Sequence, residues 1–311
     1  MLLKAIISEG REIVSALYPE YEAREMVSAY LEDMFGIGRH YHILDPEYRL
    51  TDDHAQKALA DFRRMSSGEP LQYVTGKAHF YGRQFRVTPD VLIPRQETEM
   101  LCKTVLSVNE QARALFLPAV RYNGSQSRTV LDLCTGSGCI AWTLALEMPG
   151  SKVTAVDISD GALSVASSQD FIEEMDRTHA FKPCFIKADV LKGPAVCANS
   201  FSDYATLSPK FDIIVSNPPY VMDSEKPLMR TNVLDHEPHL ALFVPDDDAL
   251  KFYVAVAQWA AKLLAEDGIG IVEINEALGE QTAQVFMEYG FSAVDIIQDL
   301  HGKDRFVRFS R

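Results

Sequence analysis

A glycine-containing turn and an acid that follows it are spaced as in nucleoside-binding sites. The turn, Asp132-Leu133-Cys134-Thr135-Gly136-Ser137-Gly138, closes one apolar run and precedes a helical pattern. Small residues in a strand-to-helix turn let a ligand approach the backbone closely. A second apolar run ends at Asp157, about 20 residues beyond the last glycine, where an acid typically accepts hydrogen bonds from ribose hydroxyls. The pattern predicts an adenosine-containing ligand across the ends of these two strands.

The same turn favours S-adenosylmethionine over a dinucleotide. It lacks the complete GxGxxG that seats a pyrophosphate on a helix N-terminus, and Asp132 precedes it. A carboxylate there would repel phosphates but suits a ligand with an amino group and a sulfonium cation. Asp189 ends a third apolar run, where it could accept from the adenine amino group or act as an ordinary cap of its strand.

The segment Asn217-Pro218-Pro219-Tyr220 predicts the reaction site. Two consecutive prolines fix an extended backbone without N–H donors, so the exposed polar groups are the Asn217 side-chain oxygen and the Pro218 carbonyl. Two acceptors suit a planar –NH2 group, which offers two donors at a fixed angle, and Tyr220 supplies an aromatic wall. A side-chain amide and an adenine amino group both fit this description.

Methyl transfer is the chemistry that such a clamp could perform. An amide nitrogen is a poor nucleophile because its lone pair is delocalised. Accepting hydrogen bonds from both N–H groups returns electron density to the nitrogen and aligns it with the methyl–sulfur bond, so the gain comes from positioning and preorganised dipoles. No strong base is required, because the nitrogen becomes acidic only as the methyl group arrives and then loses a proton to water.

From Thr129 onwards, the elements that must position these motifs alternate between strand and helix. This alternation predicts an α/β fold with a mainly parallel sheet and helices on both faces. An antiparallel strand pair is expected at the edge of the sheet. DGALSVASSQDFIEEM reads as one helix and KLLAE as the end of another. Upstream, residues 1–68 carry helical periodicity, residues 69–95 read as a β-hairpin linker that includes Tyr73 and Val74, and residues 96–311 form the predicted catalytic domain. We expect a loop without visible chemistry at 109–128.

Charge and composition restrict the partners. The 311 residues contain 30 Lys and Arg against 44 Asp and Glu, a net charge of −14, which disfavours a nucleic-acid substrate and suits a basic protein. The five cysteines have no zinc-ligand or disulfide spacing, so we expect reduced thiols and no metal. No apolar run is long enough for a membrane span, and the first residues resemble neither a secretory signal nor a transit peptide. A cytoplasmic protein is expected.

Six segments resemble signatures of the PrmC/HemK family, the methyltransferases that modify the glutamine of the GGQ motif in peptide-chain release factors. They cover nearly the whole chain and are GEPLQYVTG (68–76), LIPRQETE (92–99), DLCTGSGCIA (132–141), SNPPYV (216–221), HEPHLAL (236–242) and DLHGKDR (299–305). Three positions depart from the family pattern. Cys134 stands where the family often has Gly, Gln96 where it often has Pro, and Val190 where some members have Trp.

The resemblance implies a Rossmann-like class I S-adenosylmethionine-dependent methyltransferase with a small N-terminal helical domain, which we expect to dock the partner. It implies S-adenosylhomocysteine as the product and class 1 release factors as partners. It places catalysis on Asn217, Pro218 and Tyr220, and the substrate amide against Asn217, Pro218, Pro219 and Tyr220. The implied cofactor contacts are Cys134, Thr135, Gly136, Ser137, Gly138, Asp157, Asp189, Val190 and Asn217.

Two other functions compete with this one. An adenine-specific DNA or RNA methyltransferase would use the same NPPY clamp, but it needs a basic groove and usually a target-recognition region. A non-catalytic adaptor that binds S-adenosylmethionine only structurally would not need the intact clamp.

Overall fold

The computed structural model describes residues 1–115, 128–194 and 210–311, and of residues 109–115 it describes the backbone only. Within these ranges the chain forms two compact units. The first comprises residues 1–78, 87–89 and 228–237, and the second comprises 79–86, 90–227 and 238–311. No helix among the described residues is long and apolar enough to cross a membrane. The division at residues 68 and 95 stays a prediction.

α-Helices occur in both units, and short 3-10 turns lie between some of the elements. In chain order they are α1 (Leu3–Val14), α2 (Glu20–Phe35), α3 (Tyr41–Leu44), α4 (Asp52–Ser66), α5 (Leu71–Thr75), α6 (Gln96–Leu115), α7 (Cys139–Glu147), α8 (Asp160–Ser167), α9 (Ile172–Thr178), α10 (Thr231–His236), α11 (Lys251–Leu263) and α12 (Gly279–Glu288).

The strands form one large sheet and two short pairs. In chain order they are β1 (Lys77–Phe80), β2 (Arg83–Arg86), β3 (Thr129–Leu133), β4 (Lys152–Asp157), β5 (Cys184–Lys187), β6 (Phe211–Ser216), β7 (Val221–Met222), β8 (Phe243–Val244), β9 (Leu264–Glu273), β10 (Ala293–Gln298) and β11 (Asp304–Ser310). β1 pairs with β2, and β7 pairs with β8.

The first unit is built around amphipathic helices. The Thr51 side chain caps α4 by accepting a hydrogen bond from the His54 amide at 3.2 Å, and α2 ends at Gly36, whose φ of +67° favours glycine. α1 meets α4 at Gly10, where a Cβ atom would lie 2.5 Å from the Phe62 ring, so only glycine permits this approach.

A buried polar cluster lies in the same unit. The Tyr30 hydroxyl donates to Asp61 at 2.7 Å, and the ammonium of Lys57 and the guanidinium of Arg64 reach the same carboxylate at 3.1 Å. Asp61 is almost fully buried. Burial alone would raise its pKa, but these three donors outweigh that effect and hold the pKa below its ordinary value. The carboxylate therefore stays charged and satisfied inside the helical unit.

The second unit contains a seven-stranded sheet in the order β10-β11-β9-β6-β3-β4-β5. β9, β6, β3, β4 and β5 are parallel, and β11 pairs antiparallel with both β9 and β10. The predicted α/β class, with a mainly parallel sheet and an antiparallel pair at its edge, is confirmed. Apolar side chains pack on both faces of the sheet, with Trp259 fully buried in one cluster and Trp142 in the other.

Three local predictions were wrong. Tyr73 and Val74 lie in the short helix α5 rather than in the hairpin, which is confined to β1 and β2. β-Branched and aromatic residues also pack well on a buried helix face, and both side chains are buried there. The predicted helix from Asp160 breaks into α8 and α9, and β9 begins at Leu264, inside the segment assigned to α11. Of the expected loop at 109–128, residues 116–127 lie outside the described residues, and α6 continues to Leu115. Cys197, one of the five cysteines, also lies outside them.

Candidate active site

Four neighbouring strands bring chemistry-bearing residues to one edge of the sheet. Their last aligned residues pair side by side across β4, β3, β6 and β9: Val156, Leu133, Ser216 and Val272. The residues that follow this row are Asp157, Cys134, Asn217 and Glu273. Because these strands are parallel, their carboxyl ends meet at this edge, where α/β proteins bind ligands. The predicted cofactor turn and the predicted reaction clamp are therefore neighbours.

Hydrogen bonds within the chain hold the turn after β3. The Thr135 amide donates to the Val156 carbonyl at 3.0 Å, and the Gly138 amide donates to the Thr135 carbonyl at 2.9 Å. The Thr135 hydroxyl donates to Asp132 at 2.6 Å. Thr135 is buried, and its side chain and main chain together fix the turn to the ends of β3 and β4.

Asp157 joins the ends of β3 and β4. One carboxylate oxygen accepts from the Gly136 amide at 2.8 Å and the other from the Ser159 amide at 2.9 Å. Burial raises the pKa of this carboxyl group, and the backbone donors oppose the shift. Each carboxylate oxygen has a second lone pair, so Asp157 retains acceptor capacity for a ligand while it shapes the turn.

Asp132 is fully buried, which differs from the ligand-facing carboxylate that the sequence suggested. Desolvation is the largest influence and raises its pKa to about 7, against the lowering effect of the hydrogen bond from Thr135. Among the described residues, no group within hydrogen-bonding geometry of its Oδ1 atom is found. Near neutral pH this group is therefore only partly charged, and its direct role is to hold Thr135.

The pKa of Asp132 predicts a pH-dependent contribution to stability. Between the unfolded pKa of 3.8 and the folded value of about 7, the native state binds one more proton than the unfolded state, so stability falls as pH rises through this range. Asp132→Asn should remove this dependence. The wild-type minus variant difference in unfolding free energy should decline by about 1.4 kcal/mol per pH unit.

Both tryptophans, Trp142 and Trp259, are buried in the sheet unit, so denaturant unfolding followed by tryptophan fluorescence reports on the unit that contains Asp132. Curves are measured from pH 5 to pH 8. A difference that stays level across this range would show that Asp132 titrates at its ordinary pKa.

The backbone of the turn enters the left-handed region three times. The φ angles are +63° at Cys134, +55° at Gly136 and +79° at Gly138. Cys134 adopts the conformation that favours glycine, which agrees with its position in the sequence pattern. A Cβ atom at Gly138 would lie 3.0 Å from the Ala166 Cβ atom, so this glycine has a packing reason of its own. Its predicted cofactor contact stays a prediction.

Ser137 is tied to the hairpin strand β2 through one buried amide. Gln169 donates from Nε2 to the Ser137 carbonyl at 3.1 Å and to the Arg86 carbonyl at 2.9 Å. Its Oε1 atom accepts from the Arg86 amide at 2.8 Å. A single side chain thus couples the predicted cofactor turn to the end of the hairpin.

Asp189 and Val190 follow β5. The Asp189 carboxylate accepts from the Leu191 amide at 3.0 Å and caps a short 3-10 turn, which is the simpler of the two roles considered for it. Val190 is buried in the core, and its carbonyl accepts from the Trp259 indole at 2.9 Å. An adenine contact by either residue stays a prediction.

The NPPY segment begins directly after β6. Pro218 and Pro219 are buried, while Asn217 and Tyr220 are partly exposed. The Ser216 hydroxyl donates to the Leu133 carbonyl at 2.7 Å and ties the start of the segment to the strand that leads into the cofactor turn. The fixed backbone of two prolines then carries the chain past the edge of the sheet.

Asn217 and Tyr220 are both connected to one buried carboxylate. Asn217 Nδ2 donates to Thr98 Oγ1 at 3.0 Å, and Thr98 Oγ1 donates to Glu273 Oε2 at 2.8 Å. The Tyr220 hydroxyl donates to Glu273 Oε1 at 2.9 Å. Burial raises the pKa of Glu273, and both hydroxyl donors and the charge of Arg305 oppose the shift. Desolvation and the nearby carboxylate raise the pKa of Tyr220 well above its usual value, so the phenol remains a donor.

The main chain at Tyr220 is held by a second carboxamide. Asn275 Nδ2 donates to the Tyr220 carbonyl at 3.2 Å and to Glu225 at 2.8 Å. The main-chain N–H of Asn275 donates to the Tyr253 hydroxyl at 3.0 Å. Both ends of the NPPY segment are thus fixed by residues of β6, β9 and the segment after β9.

Sequence reasoning missed Thr98, Glu273 and Asn275. Thr98 lies within the LIPRQETE signature, and Glu273 and Asn275 lie within GIGIVEIN, an apolar run that by itself indicates only a strand. A useful signal was present, because an acid that ends an otherwise apolar strand is rarely buried without a purpose. Its partner could not be inferred, since Thr98 and Glu273 are 175 residues apart.

Comparison with known proteins decides the family. A model of the PrmC N-terminal domain matches residues 6–76, and a model of the methyltransferase small domain matches residues 105–238. A release factor glutamine methyltransferase of Flavobacterium psychrophilum is 32% identical over 99% of both chains. Another, from Bacteroides thetaiotaomicron, is 36% identical over 97% of both chains. The chain belongs to the release factor glutamine methyltransferase family.

Membership makes the protein an S-adenosylmethionine-dependent protein-glutamine methyltransferase. Among solved structures, a release factor-specific protein-(glutamine-N5) methyltransferase from Alicyclobacillus acidocaldarius is 26% identical, covers 73% of this chain and 99% of its own, and superposes with a TM-score of 0.38. The resemblance inferred from the six segments is confirmed at the level of the family.

The residues at the sheet edge fit S-adenosylmethionine. A Cβ atom at Gly136 would meet no heavy atom within 4 Å, so the space beside the turn is open. Asp157 offers free lone pairs at the end of β4, and the neighbouring Ile158 exposes 43% of its surface, which suits an apolar ring. Among the described residues, no group of three or more His, Cys, Asp or Glu side chains is arranged to hold a metal ion.

Proposed function

We propose that the protein methylates the side-chain amide nitrogen of the glutamine in the GGQ motif of class 1 peptide-chain release factors, with S-adenosylhomocysteine as the second product. The observation that carries the proposal is the likeness to relatives named for this substrate, which extends over 97–99% of both chains. The match includes the N-terminal domain model. A net charge of −14 supports a protein partner over a nucleic acid.

The clamp supplies what an amide acceptor needs. When bound, S-adenosylmethionine supplies an electrophilic methyl group on a sulfonium. The Asn217 side chain gives its Nδ2 donor to Thr98, which leaves Oδ1 to accept one substrate N–H, and the Pro218 carbonyl accepts the other. Tyr220 bounds the site with its ring, and its phenol is held by Glu273. These contacts orient the nitrogen and raise its electron density, and the proton it sheds goes to water.

Labelled S-adenosylmethionine tests the substrate directly. The protein is incubated with a release factor, with the same factor carrying glutamate in place of the GGQ glutamine, and with adenine-containing DNA and RNA. Label in the first alone supports the proposal. Label in nucleic acid alone would establish the adenine alternative, and label in none of them would favour the non-catalytic adaptor.

We also propose that the helical unit docks the release factor. The short helix α3 exposes apolar side chains, with Ile43 and Leu44 exposed by 64% and 80%, and an exposed apolar patch commonly marks an interaction surface. Ile43→Ser with Leu44→Ser should raise KM for the release factor severalfold and leave kcat and cofactor affinity unchanged. The control is Leu300→Ser, which removes a leucine that is 91% exposed from the sheet unit. An unchanged KM would contradict docking at α3.

A further inference from the structure

Glu273 is a buried carboxylate next to the clamp. It is the last residue of β9 and is 1% exposed. Oε2 accepts from Thr98 at 2.8 Å and Oε1 accepts from Tyr220 at 2.9 Å. Each oxygen of this carboxylate therefore fixes one hydroxyl group. The Tyr220 hydroxyl belongs to one end of the clamp, and the Thr98 hydroxyl bonds Asn217 at the other end.

The number of protons on Thr98 determines how Asn217 is oriented. A threonine hydroxyl carries one proton, and the proton of Thr98 is given to Glu273. Thr98 Oγ1 can then only accept a hydrogen bond from Asn217, so the amide must present Nδ2 to it, as observed at 3.0 Å. Oδ1 of Asn217 is left on the other side, where it accepts no hydrogen bond from any residue that the structure describes.

We propose that Glu273 is a positioning residue which, through Thr98, fixes the Asn217 amide with its oxygen toward the acceptor nitrogen and also holds the Tyr220 ring in place. This inference rests on the proposed function, in which Asn217 Oδ1 accepts a substrate N–H. It assigns a role to the LIPRQETE segment, because Thr98 is the relay between the carboxylate and the clamp.

A carboxylate can accept hydrogen bonds from both hydroxyl groups, whereas a carboxamide can accept through only one of its two terminal atoms. In Glu273→Gln, one of the two hydroxyls would face an –NH2 group and would have to accept from it. If that hydroxyl were Thr98, its proton would turn toward Asn217 and the Asn217 amide would rotate, presenting donors to the substrate. If it were Tyr220, the phenol would lose its acceptor. Either arrangement disrupts the hydrogen bonds at one end of the clamp, although the side chain at position 273 keeps nearly the same volume.

The kinetic test compares four variants of the full chain with labelled S-adenosylmethionine and release factor. Glu273→Gln and Thr98→Val, which keep side-chain volume, should each lower kcat by about tenfold to a hundredfold. KM for release factor and affinity for S-adenosylhomocysteine should stay within about threefold of wild type. Thr98→Ser retains the hydroxyl and should keep most of the activity. The double variant Thr98→Val/Glu273→Gln should be no worse than the poorer single variant, because with valine at position 98 the glutamine can turn its oxygen toward the Tyr220 hydroxyl, and only the Asn217 end of the clamp is then lost.

A second readout does not use activity. In protein labelled with ¹⁵N-asparagine, the side-chain –NH2 signal of Asn217 is identified by its absence in Asn217→Ala. Its proton bonded to Thr98 should exchange slowly with solvent in wild type and in Thr98→Ser. The same proton should exchange rapidly in Thr98→Val.

Wild-type kcat in both Glu273→Gln and Thr98→Val would overturn the inference, as would equal losses in Thr98→Ser and Thr98→Val. If Glu273→Gln does not fold, the two Thr98 variants and the exchange measurement decide the matter. Failure of the proposed function is separate, because wild type would then label nucleic acid or nothing. The exchange measurement still tests the orientation of Asn217 in that event.

Discussion

Asn217→Ala is expected to lower kcat for release factor methylation by about two to three orders of magnitude, the usual effect of removing one preorganised polar contact to a reacting group. The alanine removes the Oδ1 acceptor that we propose holds the substrate nitrogen, whereas the predicted cofactor turn is held by Asp157, Val156 and Thr135 without it. The cofactor contact that the resemblance implies for Asn217 lies near the transferred methyl group, which S-adenosylhomocysteine lacks, so affinity for S-adenosylhomocysteine should remain within about threefold of wild type. Single-turnover rates and calorimetric titration separate the two effects.

Two further variants sharpen this experiment. Asn217→Asp has almost the same shape and keeps an acceptor oxygen, but it cannot donate to Thr98, so it should lose activity, although less than alanine. Gln284→Ala removes an exposed amide on α12 that bonds only Glu288 among the described residues, and it should behave as wild type. A collapse of cofactor affinity in Asn217→Ala equal to its loss of kcat would contradict the division between clamp and cofactor turn.

The sheet and the positions of its loops could be predicted because local patterns determine them. Apolar runs that end in Asp132, Asp157 and Asn217 mark parallel strands, and parallel strands place their carboxyl ends together. The register supports this closely, since Val156, Leu133 and Ser216 are aligned. The helix break between α8 and α9 was missed because it depends on tertiary contacts, here the buried Gln169, which bonds Arg86 and Ser137.

The internal support of the site could not be predicted for the same reason. Thr98 is a helix residue and Glu273 ends a strand, and their hydrogen bond joins residues that are distant in the sequence. Asp132 shows a different limit. Its position was identified, but its charge was overestimated because the sequence does not reveal complete burial. Residue type predicts which chemistry is available, and burial decides the protonation state in which it is used.

Asp157→Asn is expected to weaken S-adenosylmethionine binding by about a hundredfold, the second large effect. The asparagine has one acceptor oxygen, but the native carboxylate accepts from both the Gly136 and the Ser159 amides. One backbone N–H would therefore face an –NH2 group and remain unsatisfied, which costs about 1–3 kcal/mol. The variant would also lose an acceptor that is predicted to serve a ribose hydroxyl. Calorimetry with S-adenosylhomocysteine measures the combined loss.

The matched control for Asp157→Asn is Asp160→Asn, which makes the same change of charge three residues later. Asp160 is exposed and pairs with Lys187 at the surface, so its substitution should alter cofactor affinity by less than about twofold. At saturating cofactor, Asp157→Asn should recover most of kcat, because the Asn217 clamp does not depend on it. A deficit in kcat that saturation does not relieve would mean that Asp157 also positions the reacting groups, and the separation of binding from positioning at this sheet edge would be wrong.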